Sequence, residues 1–343
     1  MYAVLYDQNM SSYRGLYKIE SWNRVQRAYD FDTMSIVCQQ LPSEASPFFV
    51  VVNNEKGHEL FSGLAGTPDI DDKTQKTTLV LKDFMTLMNS EIIIPWATIT
   101  TTYPNASVKT IFDVILGLWT TQNGEIGFDG ISWNTDSLSN ITADTSIIPT
   151  ETESALVYDI ISQYMSYYDL FCTPVLDVHS KSLTYNFSKV GIRTKNIRLS
   201  DYGIDRIVKD FGEYNKVSVY NTSYVLQDSY VLCEDNTIAK EPTNKPIVYP
   251  IKNRNYIASS DEDIASARYD AIMGLAENRY QENFDIDASN DSVLRGISFD
   301  TAVNIYTDVG LYKKMPVGEI ETDSNGKYRL TIGYRTQLLT QLF

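Results

Sequence analysis

The sequence predicts an α+β fold, mainly β: two β-barrel domains with two smaller α/β subdomains, the second barrel interrupted by a helical insertion. Three observations carry this. Short apolar runs separated by Gly, Pro, Asn and Asp recur toward both ends of the chain, the pattern of meandering strands. Between them lie two stretches with helical spacing, 108–119 and 157–168, each with one apolar face. Finally, 343 residues exceed what one core ordinarily serves, which favours about two to four subdomains. The expected division is 1–95 for the first barrel, 96–196 for an α+β domain of two helices and a hairpin, 197–257 with 292–343 for the second barrel, and 258–291 for the helical insertion.

In the first barrel, strands are expected at 3–5, 17–19, 24–29 and 34–39, with Asp30, Phe31 and Asp32 as a turn and Pro42 and Pro47 bracketing a connector. The apolar run 48–52 turns through Asn53, Asn54, Glu55, Lys56 and Gly57 and returns as Glu59 to Gly63, a hairpin with a short glycine-containing loop. Pro68, Asp69, Asp71 and Asp72 read as a second turn before a strand at 76–81, because these side chains favour turn geometry. A meander this long exposes edges, and closing it into a barrel removes them.

After 92–95 the character changes. Asn105 or Ser107 is placed to cap a helix whose Val108, Ile111, Phe112, Ile115 and Trp119 share a face, ended by Asn123 and Gly124. Thr150 with Glu153 reads as a capping box for a second helix striped by Val157, Ile160, Ile161, Tyr164 and Tyr168. A hairpin follows, 171–177 and 183–187, turning at His179, Ser180 and Lys181.

Strands return at 205–209, 215–220, 224–233 and 247–250. Ser260, Asp261, Glu262 and Asp263 put a cap and negative charge at the start of a helix running through Arg268, Ile272, Leu275 and Arg279, where the helix dipole favours anions. Runs at 297–306, 309–313, 317–321 and 327–334 close the chain, with Asn325-Gly326 as a hairpin signal.

Several of these stretches, taken in order, resemble the tail hub proteins of long-tailed bacteriophages. The first is Phe61-Ser62-Gly63, an acidic turn, then Thr78-Leu79-Val80-Leu81 leading into Asp83, Phe84 and Leu87. The phrase from Tyr214 to Val219 is similar to the entry into that family's second barrel, and Glu277 to Tyr280, Asp285 and Asp287 to its last part. The resemblance implies a structural virion protein at the distal end of the tail, made in the host cytoplasm. It implies three copies, each bringing two similar barrels, in a ring that adapts six-fold tail symmetry to three-fold. The implied partners are further copies of the chain, a distal tail protein ring, the tape measure protein and receptor-binding or fibre proteins, with DNA passing unbound and the host envelope met indirectly. Because the last strand ends close to Phe343, the fibre or lysin extension of many relatives is expected to be lacking.

The bulk composition agrees with a folded assembly protein. Hydrophobic residues are 43% and charged residues 21%, ordinary for a globular chain. A net charge of −15 argues against gripping nucleic acid, which needs Lys and Arg to neutralise phosphates; it suits a surface past which DNA slides, and equally simple solubility. Cys38, Cys172 and Cys233 have neither metal nor redox spacing and read as free thiols. No basic start with an apolar core opens the sequence, and no apolar window approaches the roughly eighteen residues of a membrane span.

No catalytic, metal-binding or cofactor-binding residue is expected. His58 and His179, the two histidines, both fall in hairpin turns, and Cys172 with His179 makes a poor nucleophile–base pair. The sets Asp69, Asp71, Asp72 and Asp261, Glu262, Asp263 read as a turn and a helix start. Asp285, Asp287 and Asp291 lack the loop of a calcium hand and read as a solvated strand end. Neither phosphate-loop pattern occurs. The 24 tyrosines leave a carbohydrate-binding adhesion module as one alternative, and paired carboxylates leave a cell-wall hydrolase as another.

Overall fold

A computed structural model describes residues 1–7, 10, 13–39, 49–71, 73–123, 128–144, 147–149, 152–204, 208–210, 212–234, 237–261, 263–277 and 281–333. The expected connector at Pro42 and Pro47, and Asp72, Gly124, Thr150, Asp205, Glu262, Arg279, Tyr280 and Tyr334, lie outside these residues.

The first barrel contains β1 (Tyr2–Tyr6), β2 (Tyr13–Arg27), β3 (Thr33–Gln39), β4 (Phe49–Asn53), β5 (Glu59–Ala65), β6 (Asp69–Asp71) and β7 (Lys76–Lys82). Six of them close in the order β1-β4-β5-β7-β3-β2, with β2 returning to β1. Every ladder in this ring is antiparallel, and the β2–β1 ladder closes the six strands on themselves. The alternation in β3 and β7 turns Met34, Ile36, Cys38, Leu79 and Leu81 inward, onto Leu5, Val50, Val52 and Phe61. Two strands expected at 17–19 and 24–29 are one 15-residue strand, β2. A bulge between Ile19 and Ser21 lets it bend while its polar middle stays paired. The acidic turn is likewise a strand: Asp69–Asp71 pairs with Lys76 to Thr78.

The middle segment holds β8 (Glu91–Pro95), α1 (Trp96–Thr102), α2 (Val108–Asn123), β9 (Gly130–Asn134), β10 (Thr152–Leu156), α3 (Val157–Tyr168), β11 (Leu170–Asp177) and β12 (Ser182–Lys189). The expected faces of α2 and α3 are buried, except that Tyr168 at the end of α3 is half-buried, and Phe112 meets Phe187 and Tyr164 edge-on at 5.0 and 6.3 Å. Glu153 caps no helix. It sits in β10, paired with Ile94, and accepts the Trp96 indole N–H at 2.6 Å. This core also covers the outer face of β4, where Phe49 lies 5.9 Å from Phe84 and 5.2 Å from Phe128.

The remainder comprises β13 (Arg193–Arg198), β14 (Val208–Asp210), β15 (Lys216–Tyr220), β16 (Leu226–Leu232), β17 (Ile238–Lys240), β18 (Asn253–Ile257), α4 (Ile264–Glu277), β19 (Gln281–Asp287), β20 (Thr301–Thr307), β21 (Gly310–Asp323) and β22 (Tyr328–Gly333). Strands expected at 215–220 and 224–233 within the second barrel belong instead to a separate sheet, β17-β16-β15-β18. It is backed by Ala271, Ile272 and Leu275 of α4. The segment inserted into the second barrel therefore begins before β15, earlier than the boundary at 258, and carries strands as well as a helix. The expected strand at 247–250 is reduced to a single bridge, Ile247 to Cys233. The barrel strands themselves are β13-β20-β21-β22-β19-β14 around Ile197, Phe284, Ile286, Val303, Ile305, Val317, Leu330 and Ile332. Runs expected at 309–313 and 317–321 form one 14-residue strand, β21.

Candidate functional site

The feature that organises the chain is the seam between the two barrels. Asn23 to Arg27 of β2 pair antiparallel with Asp323 to Glu319 of β21. The ladder is extended by Ala28 N–H to the Gly318 carbonyl at 3.1 Å and Ser324 N–H to the Trp22 carbonyl at 2.9 Å. Arg27 faces Glu319 at 3.3 Å, a partly buried pair that spans the ladder. Both strands are long for a reason: each serves its own barrel and then continues into the other.

The two barrels repeat one plan. Counted along the chain within each barrel, the strands lie side by side in the order first, fourth, fifth, sixth, third, second: β1-β4-β5-β7-β3-β2 and β13-β20-β21-β22-β19-β14. Two things differ: β1 runs antiparallel to β4 while β13 runs parallel to β20, and a β1–β2 ladder closes the first set whereas among the described residues no β13–β14 ladder closes the second. The close contacts repeat as well. A Cβ on Gly63, in the fifth strand, would stand 2.2 Å from the carbonyl oxygen of Lys82, the last residue of the sixth. A Cβ on Gly318, in the other fifth strand, would stand 2.5 Å from the carbonyl oxygen of Gly333, the last of that sixth. β6 continues the line of β5 along β7 as the second half of β21 continues along β22. Counted back from the last residue of each sixth strand, Asp69 and Ile70 sit where Glu321 and Thr322 do.

A buried polar knot fixes the first barrel to the middle core. Asp83 accepts N–H from Asp32 at 2.8 Å and from Met85 at 2.9 Å, while Asp32 accepts from Arg27 N–H at 3.0 Å and pairs with Arg24 at 3.1 Å. Asp30 accepts the Tyr158 hydroxyl from α3, and the Tyr185 hydroxyl donates to the Phe84 carbonyl at 2.8 Å. Burial, and then the neighbouring Asp32 carboxylate, push the Asp83 carboxyl well above the usual carboxylate range. Burial also raises Asp32, against the pull of Arg24. Buried carboxylates with raised pKa mark many acid–base sites. Here both oxygens of Asp83 are taken by backbone N–H groups, which makes the pair a structural tie. Asp30 and Asp32 read from sequence as turn residues and Asp83 only as part of the stretch that follows Leu81; 51 residues separate Asp32 from Asp83, so nothing local announces that they meet.

The other candidate residues are placed as follows. His58 and His179 are exposed in their turns, and Cys172 lies near the opposite end of β11 from His179. Burial pushes the Cys172 thiol well up, away from the thiolate a nucleophile needs. Asp71 caps its turn through Lys73 N–H at 2.9 Å and the Thr74 hydroxyl at 2.8 Å. Asp261 accepts the Thr222 hydroxyl at 3.1 Å, and Asp263 the Ser259 hydroxyl. Asp285 holds Arg329 and the Thr331 hydroxyl, Asp287 caps Ser289 N–H at 2.9 Å, and Asp291 takes the Tyr202 hydroxyl at 2.7 Å and Val293 N–H at 2.7 Å. Among the described residues no three His, Cys, Asp or Glu side chains gather as metal ligands. Tyr158, Tyr164, Tyr185, Tyr214 and Tyr230 are buried, where they pack rather than offer faces to a sugar.

A cleft of about 310 Å³ between the middle core and the inserted sheet is lined by Asp144, Tyr167, Tyr230, Ile238, Lys240 and Arg268. Its wall is set by Asp228, 4% exposed at the side chain, which holds Lys240 and takes Arg268 Nε–H at 2.6 Å. Its cations are thus already engaged.

The whole chain is similar in structure to two prophage tail proteins. One is the prophage tail protein gp18 from Listeria monocytogenes EGD-e, with a TM-score of 0.54 and 12% identity over 100% of this chain and 97% of that one. The other is the 43 kDa tail protein of prophage MuSo2 from Shewanella oneidensis, with a TM-score of 0.52 and 9% identity over 96% of each chain. At such identities the likeness is one of fold. No family model and no curated protein matches the sequence.

Proposed function

We propose that this chain is a structural protein of a phage tail, a tail-tip hub whose copies assemble in threes into a ring at the distal end. Each copy supplies two barrels of one plan, so three copies present six similar positions to the tail above and three-fold symmetry below. Closed rings of this kind arise when heterologous contacts return on themselves. The single observation that carries the reading is the repeated strand order of the two barrels, joined edge to edge by β2 and β21. Its partners are the distal tail protein ring above and the tape measure protein, which with DNA is guided or gated through the centre. Receptor-binding or fibre proteins attach at the rim and meet the host envelope. An acidic chain of net charge −15 suits a passage that DNA crosses without adhering. The role we propose is non-enzymatic: the buried carboxyls Asp32 and Asp83 serve as acceptors for backbone N–H groups that tie the first barrel to the middle core.

At micromolar concentration, light scattering is expected to report three copies of this 38.9 kDa chain per particle, either alone or, after allowing for the partner's mass, in complex with the distal tail protein. A strict monomer under both conditions contradicts the ring.

A further inference from the structure

We infer that the tip of the β20–β21 hairpin, Thr307 to Lys314, is a lipid-contact site that enters the interface of a bilayer carrying anionic headgroups. This goes beyond the structural role proposed above, in which the host envelope is met through other proteins, and it holds for a single copy as for a ring.

Turns are usually built of Gly, Pro, Asn, Asp and Ser; this one leads with aliphatic side chains. Val309 is 99% exposed, Leu311 59% and Tyr312 38%. The turn that presents them is fixed. Thr307 pairs with Gly310, its hydroxyl donates to the Gly310 carbonyl at 3.3 Å, and Gly310 takes a φ of +125°, which side chains rarely adopt. Behind the tip the chemistry changes in order. The nearest rung across three strands joins Arg198 of β13, Tyr306 of β20 and Leu311 of β21; the next two join Ile197, Ile305 and Lys313, then Asn196, Asn304 and Lys314. Aliphatic side chains thus lead, tyrosines follow and cations stand last. A bilayer offers acyl chains, a polar interface and anionic headgroups in the matching order. Charge supports the same occupant. The chain is −15 overall, yet β13 and the hairpin bring Arg193, Lys195, Arg198, Lys313 and Lys314 together against Asp308, with Asp300 at the base pairing Arg193 at 3.1 Å. Another exposed apolar tip, Tyr224 to Leu226 before β16, is rimmed by acid, since Thr222 beside it donates to Asp261 at 3.1 Å. An anionic surface would repel that tip and attract this one.

The test mixes the full-length protein with vesicles of phosphatidylcholine, alone or in about equal parts with phosphatidylglycerol, and reads the bound fraction by co-sedimentation. Binding is expected on the anionic vesicles, weakening as salt rises, with little on the neutral ones. Val309→Asp combined with Leu311→Asp is expected to lower the partition coefficient at least about tenfold. Arg198→Glu combined with Lys314→Glu is expected to abolish the preference for anionic lipid. Val225→Asp, at the acid-rimmed tip, is the control and is expected to leave binding unchanged. All five positions are exposed, and unchanged circular dichroism and melting midpoints check that each variant folds. A second measurement alters no charge: an environment-sensitive dye on Val309→Cys is expected to brighten and shift to the blue on anionic vesicles. Failure to bind anionic vesicles, or binding that both double variants retain, overturns the inference. So does a dye that brightens with protein concentration in the absence of vesicles, which gives the tip to a second copy instead. None of these outcomes depends on assembly in threes, which light scattering tests separately.

Discussion

Gly63→Ala and Gly318→Ala are each expected to destabilise the protein by about 3 kcal/mol or more, the upper range for overpacking. The added methyl would lie 2.2 Å from the Lys82 carbonyl oxygen in the first case and 2.5 Å from the Gly333 carbonyl oxygen in the second. Both obstacles are backbone, so no side chain can swing aside. Relief requires parting the fifth strand from the sixth, at the rungs Leu64 to Lys82 and Val317 to Ile332. Those rungs hold each barrel together where its fifth strand changes partner, from β4 to β7 and from β20 to β22. Gly117→Ala is the control: nothing lies within 4 Å of its Cβ position and it sits inside α2, so this change is expected to stabilise by up to about 1 kcal/mol. Urea unfolding midpoints order the three. A loss below about 1 kcal/mol at either barrel glycine shows that the strands separate easily there, and that the repeated close approach is incidental to the barrel.

How much of this was legible beforehand follows from which forces act locally. The first barrel could be read because period-two alternation in β3 and β7 and the Asn54 to Gly57 turn are local marks, and the helical faces of α2 and α3 because their spacing is. The seam could not, since a ladder between residues 23–27 and 319–323 leaves no trace in either stretch except unusual strand length. Strands 216–257 show the same alternation as barrel strands; what draws them into their own sheet is the buried face of α4, a distant partner. Glu153 carried a helix-start signal that lost to the β8–β10 ladder and the Trp96 indole. Helix α1, rich in β-branched Thr and Ile, runs against its intrinsic preference and is held by buried Trp96 and Ile99. Of the seam that carries the functional proposal, the two-barrel plan was legible and the joining strands were not.

Asp83→Ala is expected to cost about 3 kcal/mol, and to cost more near pH 5 than near pH 8. The size comes from two backbone N–H groups, Asp32 and Met85, that would lose their acceptor in a place where water does not reach; each such orphan costs about 1–3 kcal/mol. The pH dependence comes from the carboxyl itself. Its folded pKa is raised, first by burial and then by the Asp32 charge, so above the ordinary carboxylate range the folded protein binds more protons here than the unfolded chain does. Stability from this group is then complete at acid pH and falls as pH rises from the unfolded value through the folded one. Protonation does not break the two bonds, because a carboxyl keeps an acceptor lone pair on each oxygen. As pH rises the parent must either hold a proton that the unfolded chain has released or carry a buried carboxylate beside Asp32 and Asp30, and the alanine variant is relieved of both, so the difference between them narrows. Chemical denaturation of both proteins across this range measures it. A penalty that grows with pH would mean that the two N–H bonds outweigh burial and keep Asp83 ionised throughout, and the knot between the first barrel and the middle core would then be held by charge rather than in spite of it.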